Sequence, residues 1–524
     1  MVSYQPKDYA GKLAKYFLHS PITMVLLMFL LGLGYISLMV MPREENPQMV
    51  VSGSTIIIAL PGATAREVEN VIIKPLERKL KEIKGVEHIY GMAMDSVAVI
   101  TAAFYIGEKK EDSNLKIYDK IMQNMDMFPK GIQQPIIKPL DIDVDIPIVS
   151  VAFYSKDGSL SETELYDKVR EIQHHINGLP NVAVTDIKGG AHHQFNVLVD
   201  LNKLAGYNLS MGQIMKAVQA IAYNVPDFKT RTKNNEIVMT GVKFAIEDAD
   251  DIGNIIVAQY MGSPIYLRNI AKVEEGKDIQ NFKSALVTYK DENGKFTPLQ
   301  NQVTLTISKL QGANAVVIAD AVKEELEKYK DEFAKDGIGY IITRNDGERA
   351  NEAVNELVFH LIISIVIIAI LLIFILGWRE SMIVTITVPA ILAITLFVAY
   401  ITGQTINRIT LFAFLLSLGL LVDAAIIVIE NIHRHLHSDD VAHNSIDDLM
   451  VEATDEIGPP TNIATLAIIL TMVPMAFVGQ MMGQFMRPIP ANVPVSLIAS
   501  LFVAYIFTPY LALRWLKHKE QHHV

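Results

Sequence analysis

One acidic residue lies in the middle of an otherwise uncharged, apolar stretch of the chain. Between Thr410 and Ile429 the only charged side chain is Asp423. A carboxylate near the centre of a bilayer costs at least about 2.5–3.5 kcal/mol unless it is protonated, paired or in contact with water. Desolvation favours the neutral carboxyl, so such a group can load a proton on one side and release it on the other. We predict that Asp423 is a proton relay; an Asp that only hydrogen-bonds between helices is the alternative.

Small residues and a second pair of titratable groups accompany this aspartate. Gly419, one turn before Asp423, and Ala424, directly after it, would allow a neighbouring helix to approach closely. Glu356 and His360 could line a proton path at the outer end of another apolar stretch, although a helix-end pair reaching toward water is the simpler account. Apart from Arg408 and Arg514 at their very ends, the predicted membrane spans contain no Lys or Arg, so their interiors lack a counter-charge for Asp423.

Six apolar stretches are long enough to cross a hydrocarbon core, which takes about 20 helical residues. The predicted transmembrane helices are 22–41, 356–378, 381–402, 408–430, 461–479 and 493–514. A signal peptide is the alternative for the first stretch, but its apolar run exceeds the usual core of about 7–15 residues and no small-residue cleavage site follows it. The chain is therefore organised as one helix, a long polar block and five further helices.

Lys and Arg in the connecting segments predict the orientation. With a cytoplasmic N-terminus (1–21), the cytoplasmic side also includes the loop 431–460 and the tail 515–524. The inside segments then hold Lys7, Lys12, Lys15, Arg379, Arg434, Arg514, Lys517 and Lys519, and the outside ones hold Arg408 and Arg487. This bias places the polar block outside the cytoplasm.

The polar block alternates strands and helices in two units of split βαβ character. Thr64 and Glu67 form a capping-box pattern before a helix predicted over 65–84, and Pro75 should kink or split that helix. We assign 42–139, completed by 300–345, to a first subdomain and 140–224 to a second. A β-rich insertion is predicted over 225–299.

Composition limits the remaining chemistry. The 524 residues include no cysteine, which excludes disulfides and thiolate metal sites, and the net charge of −11 argues against a nucleic-acid partner. No nucleotide-binding glycine loop and no nucleophile–base or paired-carboxylate spacing is present, so neither an enzyme nor a bound cofactor is indicated. The His pairs at 174–175 and 192–193 are interpreted as exposed polar residues, because adjacent side chains point in different directions.

Several separate motifs, in the same order along the whole chain, resemble the resistance-nodulation-division (RND) efflux permeases of bacteria. They are Pro61-Gly-Ala-Thr-Ala-Arg-Glu-Val-Glu with Lys74-Pro75-Leu76-Glu77, Gly403-Gln-Thr-Ile-Asn407, Gly419-Leu-Leu-Val-Asp423, Ile429-Glu430-Asn431 and Val473-Pro474-Met475-Ala476. The resemblance implies an α+β membrane protein with six transmembrane helices. Between helices 1 and 2 it implies a large periplasmic insert of two ferredoxin-like porter subdomains and a docking insertion.

The same resemblance implies a cellular setting. Members are multi-pass inner-membrane proteins surrounded by lipid, and they form homotrimers that work with a periplasmic adaptor and an outer-membrane channel. They are secondary active transporters driven by the proton motive force through transmembrane carboxylates. The expected function is therefore proton antiport that exports small hydrophobic or amphiphilic compounds.

Two departures from the family pattern leave alternatives open. Members usually run to about twice this length, and their second repeat supplies a transmembrane Lys, so this chain resembles an N-terminal half that needs a second half or forms a pseudo-equivalent assembly. Drug exporters commonly have Asp-Asp where this chain has Asp423-Ala424, and heavy-metal exporters resemble the sequence seen here, whereas the stretch 486–492 resembles multidrug members. Heavy-metal cation efflux and a transport-incompetent scaffold half are therefore the alternative functions. Met122, Met125 and Met127 could ligate soft metal ions, but helix packing is the simpler use.

Overall fold

The computed structural model describes residues 4–156, 158–221, 228–231, 237–240, 246, 248–260, 262–278, 283–290, 293–437 and 445–516. Parts of five predicted segments lie outside the described residues: the N-terminus 1–21, the second subdomain 140–224, the insertion 225–299, the loop 431–460, and the tail 515–524 with Lys517 and Lys519.

Helices make up both ends of the chain and are interspersed with strands between them. The α-helices are α1 (Tyr9–Phe17), α2 (Ile22–Val40), α3 (Ala65–Val68), α4 (Lys74–Lys81), α5 (Lys110–Gln123), α6 (Ile142–Asp145), α7 (Glu162–Asn177), α8 (Leu201–Gly206), α9 (Met211–Ile221), α10 (Ala249–Gly253), α11 (Leu267–Ile270), α12 (Ala315–Lys328), α13 (Lys330–Lys335), α14 (Asp346–Ile375), α15 (Trp378–Ile401), α16 (Arg408–Leu436), α17 (Ile446–Ala476), α18 (Gln480–Met486) and α19 (Pro488–Trp515).

All the strands lie between α2 and α14 among the described residues. They are β1 (Gly53–Ala59), β2 (Val86–Met94), β3 (Val97–Phe104), β4 (Ile136–Pro139), β5 (Val149–Ser155), β6 (Val182–Lys188), β7 (His193–Val199), β8 (Phe228–Arg231), β9 (Ile237–Thr240), β10 (Ile256–Tyr260), β11 (Ser263–Tyr266), β12 (Ala271–Lys277), β13 (Leu286–Val287), β14 (Gln300–Lys309) and β15 (Ile338–Asn345).

Within the described part of the chain, six helical stretches are long and apolar enough to cross a membrane. They are α2, α14, α15, α16, α17 and Met481–Trp515. Two of these helices begin well before the predicted spans, because backbone hydrogen bonding continues beyond the apolar segment: α14 starts at Asp346 and α17 at Ile446. α14 exposes large apolar side chains such as Phe359, Val366 and Phe374, so lipid or other protein must cover it.

The first sheet has the order β2-β3-β1-β4, and all its pairings are antiparallel. Its inward residues alternate along the strands, as Ile56 and Ile58 do on β1. They are buried against apolar side chains of the covering helices, including Leu76 of α4 and Ile117 of α5. The period of two along the strands and the helical period of the cover together produce a core on one side of this sheet.

The helix predicted over 65–84 is not divided into separate helices at Pro75; its backbone stays helical, and a π-helical turn interrupts the α-helical pattern directly before the proline. α3 opens with the predicted capping box, in which the Thr64 N–H donates to Glu67 Oε2 at 2.9 Å. The π-helical turn, Glu69–Ile73, lies between α3 and α4. Pro75 has no N–H to donate, so it fits in the first turn of α4, where no intrahelical partner is required.

The second sheet corrects the predicted first subdomain. β14 pairs with both β5 and β6, and β15 pairs with β5, all antiparallel. The segment 300–345 therefore completes the sheet that starts at Val149, whereas β4 closes the first sheet. Strand partners are set by long-range hydrogen bonding, which the alternation along each strand does not specify.

The insertion also begins earlier than the predicted boundary at 225. β7 pairs with β12 over their full lengths, and the two enclose α8 to α11 in the chain. Leu204, Ile214, Ile252 and Leu267 form a separate apolar core there. The predicted second subdomain, 140–224, thus runs too far, since its last strand and helices belong to the insertion.

Candidate functional site in the apolar helices

The helix that carries Asp423 starts from a buried cap. Asn407 Oδ1 accepts from the backbone N–H groups of Ile409 and Thr410, both at 3.0 Å. The Asn407 amide in turn donates to Thr405 Oγ1 at 3.2 Å, and both residues are buried. These bonds satisfy helix-terminal N–H groups without water and anchor the first turn of α16.

Asp423 lies on the open face of α16. The exposed residues Phe412, Leu416, Gly419, Asp423 and Ile427 recur every three to four positions, which places them in one row along the helix. The residues on either side, Val422 and Ala424, are buried among the neighbouring helices. Asp423 therefore points away from the other helices of this chain.

The two small residues predicted to allow close packing are placed differently. Ala424 is buried against the helix bundle, as its size would allow. A Cβ added to Gly419 would meet no atom of the described chain within 4 Å. Gly419 thus leaves a shallow gap beside Asp423 on the open face, and no described helix fills it.

The Asp423 side chain makes no hydrogen bond and no ion pair with any other residue that the structure describes. The interiors of the predicted membrane spans contain no Lys or Arg, so the sequence already indicates that a charged partner is missing there. A carboxyl group in that position can exchange a proton only with groups that face it from outside this chain.

Glu356 and His360 contact each other on the exposed surface of α14, with 3.6 Å between Glu356 Oε1 and His360 Nε2. Arg349 of α14 and Arg408 of α16 both lie near Glu45, at 3.7 and 3.8 Å, so these two helices start at the same level. A rise of about 1.5 Å per residue then puts His360 roughly 16 Å and Asp423 roughly 22 Å below that level. We call the residues between α2 and α14 the soluble block. Glu356 and His360 therefore lie nearer to the soluble block than Asp423 does, and their role in a proton path stays a prediction.

The far end of α16 is tied to its neighbours by polar contacts. Asn431 is buried, and its amide donates to Ala453 O at 2.7 Å and to Glu456 Oε2 at 3.1 Å. Arg434 and His435 also contact Glu456, and His433 Nδ1 lies 3.0 Å from Glu380. The second half of α16 is therefore held to α15 and α17.

Sequence reasoning missed a buried ion cluster above this helix. Lys309 Nζ lies 3.1 Å from Glu44 Oε1 and 3.1 Å from Asp143 Oδ1. Lys309 and Glu44 are each only 4% exposed. The three residues are far apart in the sequence, so no local spacing relates them; the one available signal is a Lys within an alternating apolar strand.

The candidate metal ligands do not come together. Met125 and Met127 lie in a 3-10 turn after α5 and pack against the first apolar core. His192 contacts Tyr166, whereas His193 Nε2 lies 2.6 Å from Glu275 Oε1. His175 lies against Tyr329. These side chains therefore have separate packing and ion-pair partners.

Comparison with known proteins relates nearly the whole chain to efflux transporters. The model of the AcrB/AcrD/AcrF family matches residues 13–524. Multidrug resistance protein MdtF of Escherichia coli is 26% identical over 528 residues, which cover 96% of this chain and 48% of MdtF. Toluene efflux pump membrane transporter TtgB of Pseudomonas putida is 25% identical over 526 residues, covering 98% of this chain and 48% of TtgB. The chain spans about half the length of the curated relatives it matches.

Proposed function

This chain belongs to the AcrB/AcrD/AcrF family of RND efflux permeases, and on that premise we propose that it is one half of a proton-driven exporter. Its cargo would be small hydrophobic or amphiphilic compounds. The names of two relatives, a multidrug resistance protein and a toluene efflux pump, support this cargo class over a metal ion.

The observation that carries the proton role is the position of Asp423. It lies within a helix of 29 residues that is apolar enough to cross a membrane, and it is exposed while both of its neighbours are buried. A bare carboxylate facing lipid would be costly, so the group must be protonated, paired or hydrated for part of the cycle. A proton carrier must alternate between a protonated state and an ionised state, and this position favours both in turn.

We propose that a second RND half, with further membrane helices, completes this site. The open row on α16, with the gap at Gly419, would receive a helix that carries a Lys opposite Asp423. Proton binding to Asp423 would then break the ion pair and let the two helices shift relative to each other. This partner is inferred from the open face and from the half-length match to the relatives.

The same reasoning extends to the cell envelope. We propose six membrane spans, a cytoplasmic N-terminus and a periplasmic location for the block between α2 and α14. RND permeases generally act as trimers with a periplasmic adaptor and an outer-membrane channel, and we propose the same assembly here. The proton motive force would be the only energy source.

The packing of Met125 and Met127 in an apolar core does not support a soft-metal cargo. Metal efflux and the scaffold half therefore serve as outcomes of the test below.

The test replaces Asp423 in the native host, where any companion polypeptide is present. Asp423→Asn removes the titrating group with little change of volume, and Asp423→Glu serves as the matched control that keeps it. We expect accumulation of a fluorescent hydrophobic dye in the Asn variant to equal that of a deletion strain, with partial export by the Glu variant. A protonophore should abolish export by the wild type.

Three results would contradict the proposal in different ways. Full dye export by Asp423→Asn would exclude the proton role. A deletion strain that exports dye normally but becomes sensitive to copper or silver ions would indicate a metal exporter. A deletion strain with neither defect would indicate a scaffold.

A further inference from the structure

The buried ion cluster joins three segments that are distant in the sequence. Lys309 ends β14, Asp143 lies in α6, and Glu44 lies in the short segment that follows α2. The Lys309 ammonium contacts both carboxylates at 3.1 Å. The Lys309 ammonium therefore connects the end of β14, in the second sheet, to the segment that follows α2.

A second set of contacts joins Glu44 to the start of α16. Thr405 Oγ1 donates to Glu44 Oε2 at 3.4 Å. The Glu44 N–H donates to Ile406 O at 3.0 Å, and the Ile406 N–H donates to Pro42 O at 2.9 Å. Asn407, which caps α16, donates to Thr405. The cap of α16, the turn before it and Glu44 therefore form one connected network.

The same short segment also holds two other elements. Arg43 Nη1 donates to Asn351 Oδ1 of α14 at 2.7 Å, and the Ala315 N–H at the start of α12 donates to Arg43 O at 3.1 Å. The segment 42–45 thus lies where α12, α14, α16 and the second sheet meet. Movement of any one of them must strain or break polar bonds there.

Because Glu44 and Lys309 are buried, the free energy of their ion pair depends strongly on the distance between the two side chains. Burial raises the pKa of the Glu44 carboxyl, and the Lys309 ammonium and the Gln48 amide oppose that rise only in part. Burying an ion pair costs desolvation free energy that the pair recovers only with good geometry. A small displacement of Glu44 would leave buried charges unpaired, so the cluster resists separation of its parts.

We propose that Glu44 and Lys309 are positioning residues that transmit movement of α16 to the second sheet. The inference rests on the proposed proton role of Asp423. It adds the route by which a movement that follows protonation of Asp423 is transmitted to the soluble block. When α16 shifts, Thr405 carries Glu44 with it, and Lys309 follows through the ion pair. Because β14 pairs with β5 on one side and β6 on the other, displacement of Lys309 moves the centre of that sheet.

The test is a double-mutant cycle read by hydrogen exchange. The full chain, with any companion polypeptides, is placed in lipid nanodiscs, and exchange of the backbone amides of β14 is measured by mass spectrometry. Asp423→Asn mimics the protonated state. Glu44→Met cuts the link to Lys309 while Lys309 keeps Asp143 as a partner. Glu171→Gln is the control, since Glu171 is exposed on α7, which covers the same sheet away from the junction.

We expect Asp423→Asn to change β14 exchange several-fold in the wild-type and Glu171→Gln backgrounds, and to leave it unchanged in the Glu44→Met background. An equal effect of Asp423→Asn on β14 exchange in all three backgrounds, or no effect in the wild type, would contradict the proposed role of the junction. If Glu44→Met does not assemble, Glu44→Gln keeps the shape of the side chain, removes the charge that pairs with Lys309 and carries the same expectation.

Dye export measured with the same variants separates this inference from the proposed function. Export that survives Asp423→Asn overturns the proton role, whatever the exchange data show. If Asp423→Asn still changes β14 exchange in the Glu44→Met background, the proposed role of the junction is wrong. That result leaves the proposed function standing, because hydrogen exchange is measured without transport.

Discussion

At the scale of single residues, the chemistry of Asp423 depends on what surrounds it. The carboxyl group is the same in any aspartate, but here its neighbours are buried and its own side chain is exposed on an apolar helix. Proton affinity in such a position is set by desolvation and by whichever charge faces it. The group can therefore act as a switch only together with a partner on the open face.

Gly34 provides a residue-scale prediction about packing between α2 and α15. A Cβ at Gly34 would lie 2.5 Å from Ala393 Cα, whereas a Cβ at Gly32 on the same helix would meet nothing within 4 Å. We expect Gly34→Ala to lower the free energy of unfolding by about 1–3 kcal/mol, as overpacked sites do.

Gly32→Ala is the matched control and should leave stability unchanged or raise it, since Ala favours helix by up to about 1 kcal/mol. Thermal unfolding of the purified variants in mild detergent measures both effects. Equal melting temperatures for the two variants would show that α2 and α15 do not approach closely at Gly34.

At the scale of elements, α16 is defined by how its two ends are held. Asn407 caps its start within the junction, and Asn431 ties its far half to α17. Its central part has one row of residues without a neighbour among the described helices. Fixed ends and an open middle suit a helix that responds to a change at Asp423 and passes it to the soluble block.

Asn407→Ala is the element-scale prediction. Loss of the two cap bonds should reduce the free energy of unfolding by about 0.5–2 kcal/mol, and it should also reduce dye export because α16 is no longer anchored at the junction. Asn314→Ala removes the corresponding cap of α12, where Asn314 Oδ1 accepts from the Val316 N–H at 3.0 Å.

We expect the Asn314 variant to lose similar stability but to keep more of its export activity. Melting temperature in detergent and dye accumulation in cells measure the two properties. Export reduced equally in both variants would mean that the cap of α16 has no special role.

At the scale of the whole molecule, the chain is strongly asymmetric. Apolar helices lie at both ends, and two sheets with an insertion lie between α2 and α14. The exposed apolar surface of α14 and the open row on α16 both require covering by lipid or protein. The chain spans about half the length of these curated relatives.

The proposed orientation can be tested directly, because the chain contains no cysteine. Single cysteines at the exposed positions Lys203 in the soluble block and His437 after α16 should lie on opposite sides of the membrane. A membrane-impermeant maleimide should label Lys203→Cys in cells with a permeable outer membrane, and His437→Cys only after the inner membrane is disrupted. Labelling of both positions before disruption would contradict the orientation.

The sequence by itself determined the features that depend on nearby residues. Apolar length located the long helices, the cost of a charge within an apolar span singled out Asp423, and the Thr64 capping box followed from local backbone chemistry. The family also followed from motifs that are each contained in a short stretch. These features are local because helix hydrogen bonds, caps and membrane insertion act over a few turns of chain.

Only the tertiary structure decided which distant segments meet. It paired β14 with β5 rather than with the first sheet, moved the start of the insertion to β7, turned Asp423 to the open face of α16, and brought Lys309 between Glu44 and Asp143. Alternation along a strand states which face is buried but not which strand lies beside it. The proposed proton site and its proposed connection to the soluble block therefore depend on long-range packing that no local pattern contains.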